Sequence, residues 1–271
     1  MTRIHSTAIV EGGAELADDV IVEAYARIGP KVTIGAGTVI RHGAVVEGST
    51  TLGEHNLVFP YACLGTAPQD LKYEGEDTRL IVGNHNTFRE NVTVNLGTIQ
   101  DQGETRIGDH NLLMASTHIG HDCIIGSHCI LSFSTGLAGH IVLSDHVTLG
   151  GMTGVHQFVQ IGRHAFVGGG SKVGLDLPPF TVCQGYPARL RGINTVGMQR
   201  HGYTDEDVAA MRKAYRTLFK TDRADDPIAT VRALFEELPA AVAEFLDFIN
   251  ASYESERKLM RPKPRGADEA D

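Results

Sequence analysis

The stretch from Ile107 to Thr148 reads IGDHNL LMASTH IGHDCI IGSHCI LSFSTG LAGHIV LSDHVT, each block of six opening on Ile or Leu. The same series runs on through Leu149, Val155, Ile161 and Val167 to Val173. Upstream, every sixth residue from Val10 is also aliphatic: Leu16, Val22, Ile28, Ile34, Ile40, Val46, Leu52, Val58 and Leu64. A polar stretch, TAPQDLKYEGEDTR (66–79), interrupts the frame, which returns at Val82, Phe88 and Val94. A second break near 99–106 follows, and the frame restarts at Ile107 one residue out of phase. A strict period of six fits neither an α-helix nor a heptad, and β-branched residues followed by Gly, Asn, Asp or His point to short strands joined by tight turns.

Three hexads close one triangular coil of 18 residues, which places residue i over residue i+18 at about the inter-strand spacing of ~4.8 Å. The expected fold is mainly β, a left-handed parallel β-helix of hexapeptide repeats from about Val10 to about Val173. That handedness departs from the usual right-handed crossover. Aliphatic side chains would fill the prism axis. Glycines just after them, such as Gly29, Gly35, Gly108 and Gly126, suit corners that need backbone angles other residues avoid.

After Pro178–Phe180 the period is lost and helical patterning begins. Thr204 followed by Asp205, Glu206 and Asp207 forms an N-cap and acidic first turn for a helix to about Lys220. Two further helices are expected near 226–237 and 239–251, and the last ten residues read as disordered. The predicted division is 1–190 for the β-helix, with a loop insertion at about 66–79, and 191–271 for a small helical domain.

Composition agrees with stacked repeats. The chain has 31 glycines, 10 Phe, 7 Tyr and no Trp, too few large side chains for one globular core of 271 residues. Four cysteines (63, 123, 129, 183) show neither CxxC nor finger spacing, so reduced thiols are expected. A leader-like N-terminus and a membrane-length apolar segment are both lacking, which predicts a cytoplasmic protein without membrane insertion. A net charge of −9 argues against nucleic acid as a partner. Residues 186–223 run the other way. Eight basic residues there (Arg189, Arg191, Arg200, Arg212, Lys213, Arg216, Lys220, Arg223) face four acidic ones (Asp205, Glu206, Asp207, Asp222), a local +4 suited to an acidic partner.

Several of the 13 histidines gather in the second half of the repeat: His118 and His121, His140, and His156. One coil beyond Asp122 is His140, so His121, Asp122 and His140 are expected at one edge. An imidazole beside a carboxylate is equipped as a general base. Gly139 offers an unhindered N–H to an oxyanion. Such a set serves acyl transfer to a hydroxyl or amine, and the lack of a GxSxG or a cysteine beside these histidines favours direct transfer. Clustered histidines also serve zinc, as in hexapeptide-helix carbonic anhydrases, but His118 and His121 would fall on opposite faces of an extended strand unless a corner lies between them. No metal ligand is assigned. A purely structural prism and a non-enzymatic scaffold remain the alternatives outside catalysis, although irregular loops and corners fit them poorly.

The motifs QDLKY (69–73), NLLMASTHIGHDC (111–123), LAGH (137–140), GGMTGVHQF (150–158) and DLPPF (176–180), in this order, resemble the acyl-carrier-protein-dependent UDP-N-acetylglucosamine O-acyltransferases that open lipid A synthesis in Gram-negative bacteria. The resemblance spans almost the whole chain. It implies a homotrimer with sites between subunits, no cofactor beyond the phosphopantetheine of acyl carrier protein, and a UDP-sugar acceptor. By motif, His121 resembles the general base, Asp122 its orienting carboxylate and Gly139 the oxyanion donor. His118, His140, His156 and Gln157, with Gln69, Asp70 and Lys72 on the loop, match positions lining the substrate and pantetheine cleft. Asn194 and Arg200 match the nucleotide-binding stretch. Gly169 matches the residue that limits acyl length, and a glycine there implies a long 3-hydroxyacyl donor. The sequence departs from better-known members at Asn95-Leu96 (usually His-Arg), Tyr186-Pro187 (Asn-His), Val196 (glutamate) and His201 (a second arginine). A 3-amino analogue of the sugar is therefore the close alternative acceptor. A coenzyme A-dependent acetyltransferase is a more distant one.

Overall fold

A computed structural model describes residues 1–220 and 226–262. Two-residue strands wind a triangular prism with three parallel faces. The first holds eleven strands beginning with Arg3–Ile4 and Ile21–Val22, the second nine beginning with Ile9–Val10, and the third eight beginning with Glu15–Leu16. Partners are offset by 18 residues, as in Arg3↔Ile21, Ile9↔Arg27 and Glu15↔Thr33. Every sixth residue points inward, and Ile34, Leu64, Ile119, Leu137 and Leu149 have no exposed surface. Each such burial contributes roughly 1.5–3 kcal/mol.

Both interruptions lie on the second-to-third edge. Between Cys63–Thr66 and Arg79–Val82 the chain makes its first excursion, and the offset grows to 30 between Leu57 and Thr87, twelve more than a coil. Twelve is two hexads, so the frame returns in phase. The second excursion, between Thr93–Asn95 and Glu104–Ile107, gives an offset of 25 between Thr87 and Leu112, seven more than a coil. Seven is one residue too many, which explains the phase slip at Ile107.

Of the glycines after the aliphatic positions, only Gly65, after Leu64, has the left-handed backbone expected (φ 78°); the others have ordinary φ. Gly126 has an ordinary φ, but a Cβ on it would stand 2.5 Å from Asp145 Oδ1 and 2.8 Å from Asp145 N on the next coil. Close approach of neighbouring coils selects glycine there. The left-handed backbone falls three places after the aliphatic residue, at Asp122 (φ 58°), His128 (59°), His140 (60°) and His146 (58°) among others. Asp, Asn and His tolerate that region better than most residues do.

At the C-terminal end the strand Thr181–Gly185 extends the first face and turns back antiparallel through Ala188–Ile193. This return strand crosses the boundary expected at 190, so the helical part begins after Ile193. It comprises α1 (Thr195–Arg200), α2 (Asp205–Lys220), α3 (Pro227–Arg232) and α4 (Ala240–Ser252). The short α1 has no periodic signature in the sequence. Asn194 caps it, its Oδ1 accepting from Gly197 N at 2.9 Å. Thr204 and Asp207 cap α2 reciprocally. α3 stops at Arg232, short of the expected 237, in a segment leading to Pro239, which disfavours helix in the residue before it. The charges Asp222 and Arg223 and the tail expected to be disordered lie outside the described residues, except for 262 at the tail's start. No helix among the described residues is long and apolar enough to cross a membrane.

Candidate active site

The corner that follows Ile119 turns at once through Gly120 to His121 and Asp122, so His118 and His121 are no longer on opposite faces of a strand. The His118 imidazole is pulled below its usual range by burial and then by the nearby His121. His118 Nδ1 lies 2.8 Å from Thr93 Oγ1.

His121 and Asp122 are both buried. His121 Nδ1 is 2.7 Å from Asp122 Oδ2. Burial alone would raise the Asp122 carboxyl, but hydrogen bonds from His121 and Thr98 outweigh it and hold it below the usual range. An ionised carboxylate only accepts, so His121 Nδ1 carries the proton and Nε2 keeps its lone pair. Both Asp122 oxygens are further occupied: Oδ1 accepts from Thr98 N at 2.8 Å and Oδ2 from Thr98 Oγ1 at 2.6 Å. The Asp122 N–H in turn donates to Thr105 Oγ1 at 2.9 Å. Such a saturated carboxylate is a poor metal ligand and a good anchor for a base, although His121, Asp122 and His140 bring ligand atoms within 4.8 Å of one another.

One coil on, His140 N donates to His121 O at 3.0 Å, and the two rings meet edge to face with centroids 4.9 Å apart. His140 stacks on Phe158 at 4.5 Å, and its Nδ1 lies 2.8 Å from Asp101 Oδ2. Gly139 sits directly over the base, where a Cβ would come within 2.7 Å of His121 Nε2. Its N–H makes no hydrogen bond among the described residues. An unpartnered backbone donor therefore lies beside the nitrogen of the base that Asp122 leaves open.

Beside this edge, a groove of about 620 Å³ runs along the second face. His118, His156, Gln157, Met152 and Lys172 line it. From the GGG run Gly170 lines the groove, while Gly169 is its exposed neighbour, stacked over Gly151 with room for a Cβ only 3.2 Å from Gly151 O. The first excursion leaves from the catalytic edge. Gln69 and Lys72 are exposed on it, Asp70 Oδ1 accepts from Lys72 N at 2.9 Å, and the intervening Leu71 is fully exposed. Asn194 and Arg200 are elsewhere in the chain. Asn194 Nδ2 donates to His164 O at 2.9 Å on the third-to-first edge, and Arg200 is exposed at the end of α1. One face of the prism separates them from His121.

Asn95, one of the departures, is buried, donating to Thr66 Oγ1 at 2.9 Å and Ala67 O at 3.0 Å at the root of the first excursion. Cys123 and Cys129 are buried thiols pushed up to about 12 by desolvation, unsuited to nucleophilic attack. Sequence reasoning missed Thr98, Asp101 and Thr105. All three lie in or beside the second excursion, and the phase slip at Ile107 was the signal that something non-repetitive stands there.

A family model described as UDP N-acetylglucosamine O-acyltransferase, domain 2, matches residues 176–260, and one for the bacterial transferase hexapeptide matches 13–48 and 104–139. The chain is 50% identical over 238 residues to the acyl-(acyl-carrier-protein)–UDP-N-acetylglucosamine O-acyltransferase of Saccharophagus degradans, covering 88% of this chain and 90% of the relative. It is 44% identical to that of Syntrophobacter fumaroxidans, covering 92% and 97%. Among solved structures, LpxA from Acinetobacter baumannii superposes with a TM-score of 0.90 at 42% identity, covering 95% of this chain and 99% of that one.

Proposed function

The chain belongs to the UDP-N-acetylglucosamine O-acyltransferase family, and from that premise we propose that His121 is the general base of its transfer. The enzyme is an acyltransferase that moves an acyl group from acyl carrier protein to UDP-N-acetylglucosamine, the first step of lipid A biosynthesis. The observation carrying the mechanism is the placement of His121 Nε2 against Gly139, with Nδ1 held by Asp122.

His121 Nε2 takes the proton of the sugar 3-hydroxyl as that oxygen attacks the thioester carbonyl carbon. The carbonyl oxygen gains charge and accepts a hydrogen bond from Gly139 N–H. Collapse re-forms the carbonyl and breaks the carbon–sulfur bond; the leaving pantetheine thiolate takes the proton from the His121 imidazolium. Asp122 stays ionised throughout and stabilises that imidazolium. His118 and His156 border the groove that would receive the pantetheine arm and acyl chain, and Gly170 lines it beside Gly169, where the absence of side chains leaves room for a long 3-hydroxyacyl group.

A homotrimer completes this site. Asn194 and Arg200 cannot reach His121 across a face of their own prism, but a second chain laid against that face brings its own copies to it. Gln69 and Lys72 on the projecting loop, and the basic residues Arg189, Arg191 and Arg212, are suited to acyl carrier protein and diphosphate.

Transfer assays with 3-hydroxyacyl carrier protein and both UDP-sugars test the reading. Ester formation on the 3-hydroxyl sugar is expected, with near-complete loss in His121→Ala and an unchanged fold. Faster amide formation on the 3-amino analogue would reassign the acceptor, and a His121→Ala enzyme of ordinary activity would remove the base. Donors of 14 carbons should outcompete those of ten, with the order reversed in Gly169→Met.

A further inference from the structure

On the third-to-first edge the left-handed position of successive coils is histidine six times running. His55, His85, His110, His128, His146 and His164 stack ring on ring, with centroids 4.7–5.0 Å apart and planes within 17°. None of them takes part in the proposed transfer. At the top of the column a seventh histidine joins from the helical part. His201, just after α1, places its ring 4.6 Å from both His146 and His164, tilted 61° and 50° to them. These three rings bring one ligand nitrogen each within 4.8 Å of one another.

Several features suit a cation at this point. His201 Nδ1 lies 2.8 Å from Gly197 O, which fixes the proton on Nδ1 and leaves Nε2 free, the usual arrangement of a histidine ligand and its supporting carbonyl. His164 is buried, and its Nδ1 has no hydrogen-bond partner among the described residues. The adjacent Arg163 is neutralised by Glu244, whose carboxylate it grips through Nε at 3.0 Å. A cavity of about 480 Å³ opens from the cluster, with Asp207 on its wall.

We propose that His146, His164 and His201 form a site for a divalent transition-metal ion of the zinc class, with its fourth position open to the cavity. Tetrahedral zinc with Zn–N bonds of ~2.0–2.1 Å needs its nitrogens about 3.4 Å apart, so the rings close by roughly 1.4 Å at most. The exposed His201, at a helix end, supplies that movement. The ion would staple the helical part to the last coils of the prism. His201, where the resemblance has an arginine, completes the site.

Full-length protein stripped with a chelator, then titrated with Zn²⁺ by calorimetry and with Co²⁺ by visible absorption, provides the test. One ion per chain is expected, with a dissociation constant of about 1 μM or tighter and a tetrahedral cobalt spectrum. His201→Arg and His146→Asn should weaken binding by roughly 100-fold or more. His128→Asn, in the same column but facing no third ring, should bind as the parent does. Zinc should raise the melting temperature of the parent and not of His201→Arg. Should His146→Asn fail to fold, the exposed His201→Arg carries the comparison. No binding by the parent at about 0.1 mM zinc overturns the proposal, as does binding that survives His201→Arg but is lost in His121→Ala.

Discussion

Asp101 Oδ2 lies 2.8 Å from His140 Nδ1, although the two residues belong to different coils and Asp101 stands outside the repeat altogether. The second excursion thus reaches across the coil between them and fixes the His140 imidazole beside the base. Asp101→Asn keeps the shape but replaces an acceptor by a group that is also a donor. Its exposed position makes the fold indifferent to the change, so kcat is expected to fall roughly 10-fold, about 1.4 kcal/mol, with KM and melting temperature nearly unchanged. Parent-like kcat would mean that the orientation of His140 does not matter.

Gly139→Ala separates the active edge from the rest of the prism. The added Cβ would stand 2.6 Å from His121 Cε1, a distance that forces the imidazole off Asp122 or off its line to the substrate. A loss of at least about 100-fold in kcat is expected, with the circular dichroism spectrum of the parent retained. If Gly139→Ala turned over at the parent rate, neither the oxyanion role nor the placement of Nε2 would stand.

The architecture was legible because one number, six, governs it: a side chain on the prism axis recurs with each face, and nothing else in protein structure repeats so. Stacking arithmetic also brought His140 to His121 and Asp122, since 18 residues is a fixed rise. What the repeat could not encode is whatever leaves it. Asp101 and Thr98 reach their partners through an excursion whose path no periodicity describes, and α1 is too short to carry a pattern. Apart from Gly65, the corner glycines are not set by backbone angle, because steric contact with the next coil leaves the same letter in the sequence as a left-handed φ. Column stacking of histidines was equally present in the numbers from His55 onward, but the two excursions stretch its first spacings to 30 and 25 residues, which breaks the count of 18.

Three thiols should mark the alkaline limit of stability. Burial pushes Cys123, Cys129 and Cys183 up to about 12, from a value near 9.0 when unfolded. Between those limits the unfolded chain loses these protons while the native chain keeps them, so stability is fully present below about pH 9 and declines above it. Each thiol contributes up to about 1.4 kcal/mol per pH unit in that window. Urea unfolding of the parent and of Cys129→Ala at about pH 8 and pH 10.5 should show a shallower decline in the variant. Equal slopes would place the Cys129 thiol in contact with water.

Two glycines at equivalent places in the repeat should respond with opposite sign. Gly126 follows Ile125, and Gly174 follows Val173 on the last regular coil. At Gly126 the methyl group meets Asp145 Oδ1 at 2.5 Å and Asp145 N at 2.8 Å, and the latter is backbone that cannot swing away. The coils must part locally, at a cost of roughly 1–3 kcal/mol. At Gly174 no coil lies above, nothing comes within 4 Å of the added Cβ, and φ is ordinary. Alanine there only restricts the unfolded chain, so a gain of about 0.4–1 kcal/mol is expected. If both variants lost stability equally by urea unfolding, backbone angle rather than the approach of the next coil would be what selects glycine after each aliphatic residue.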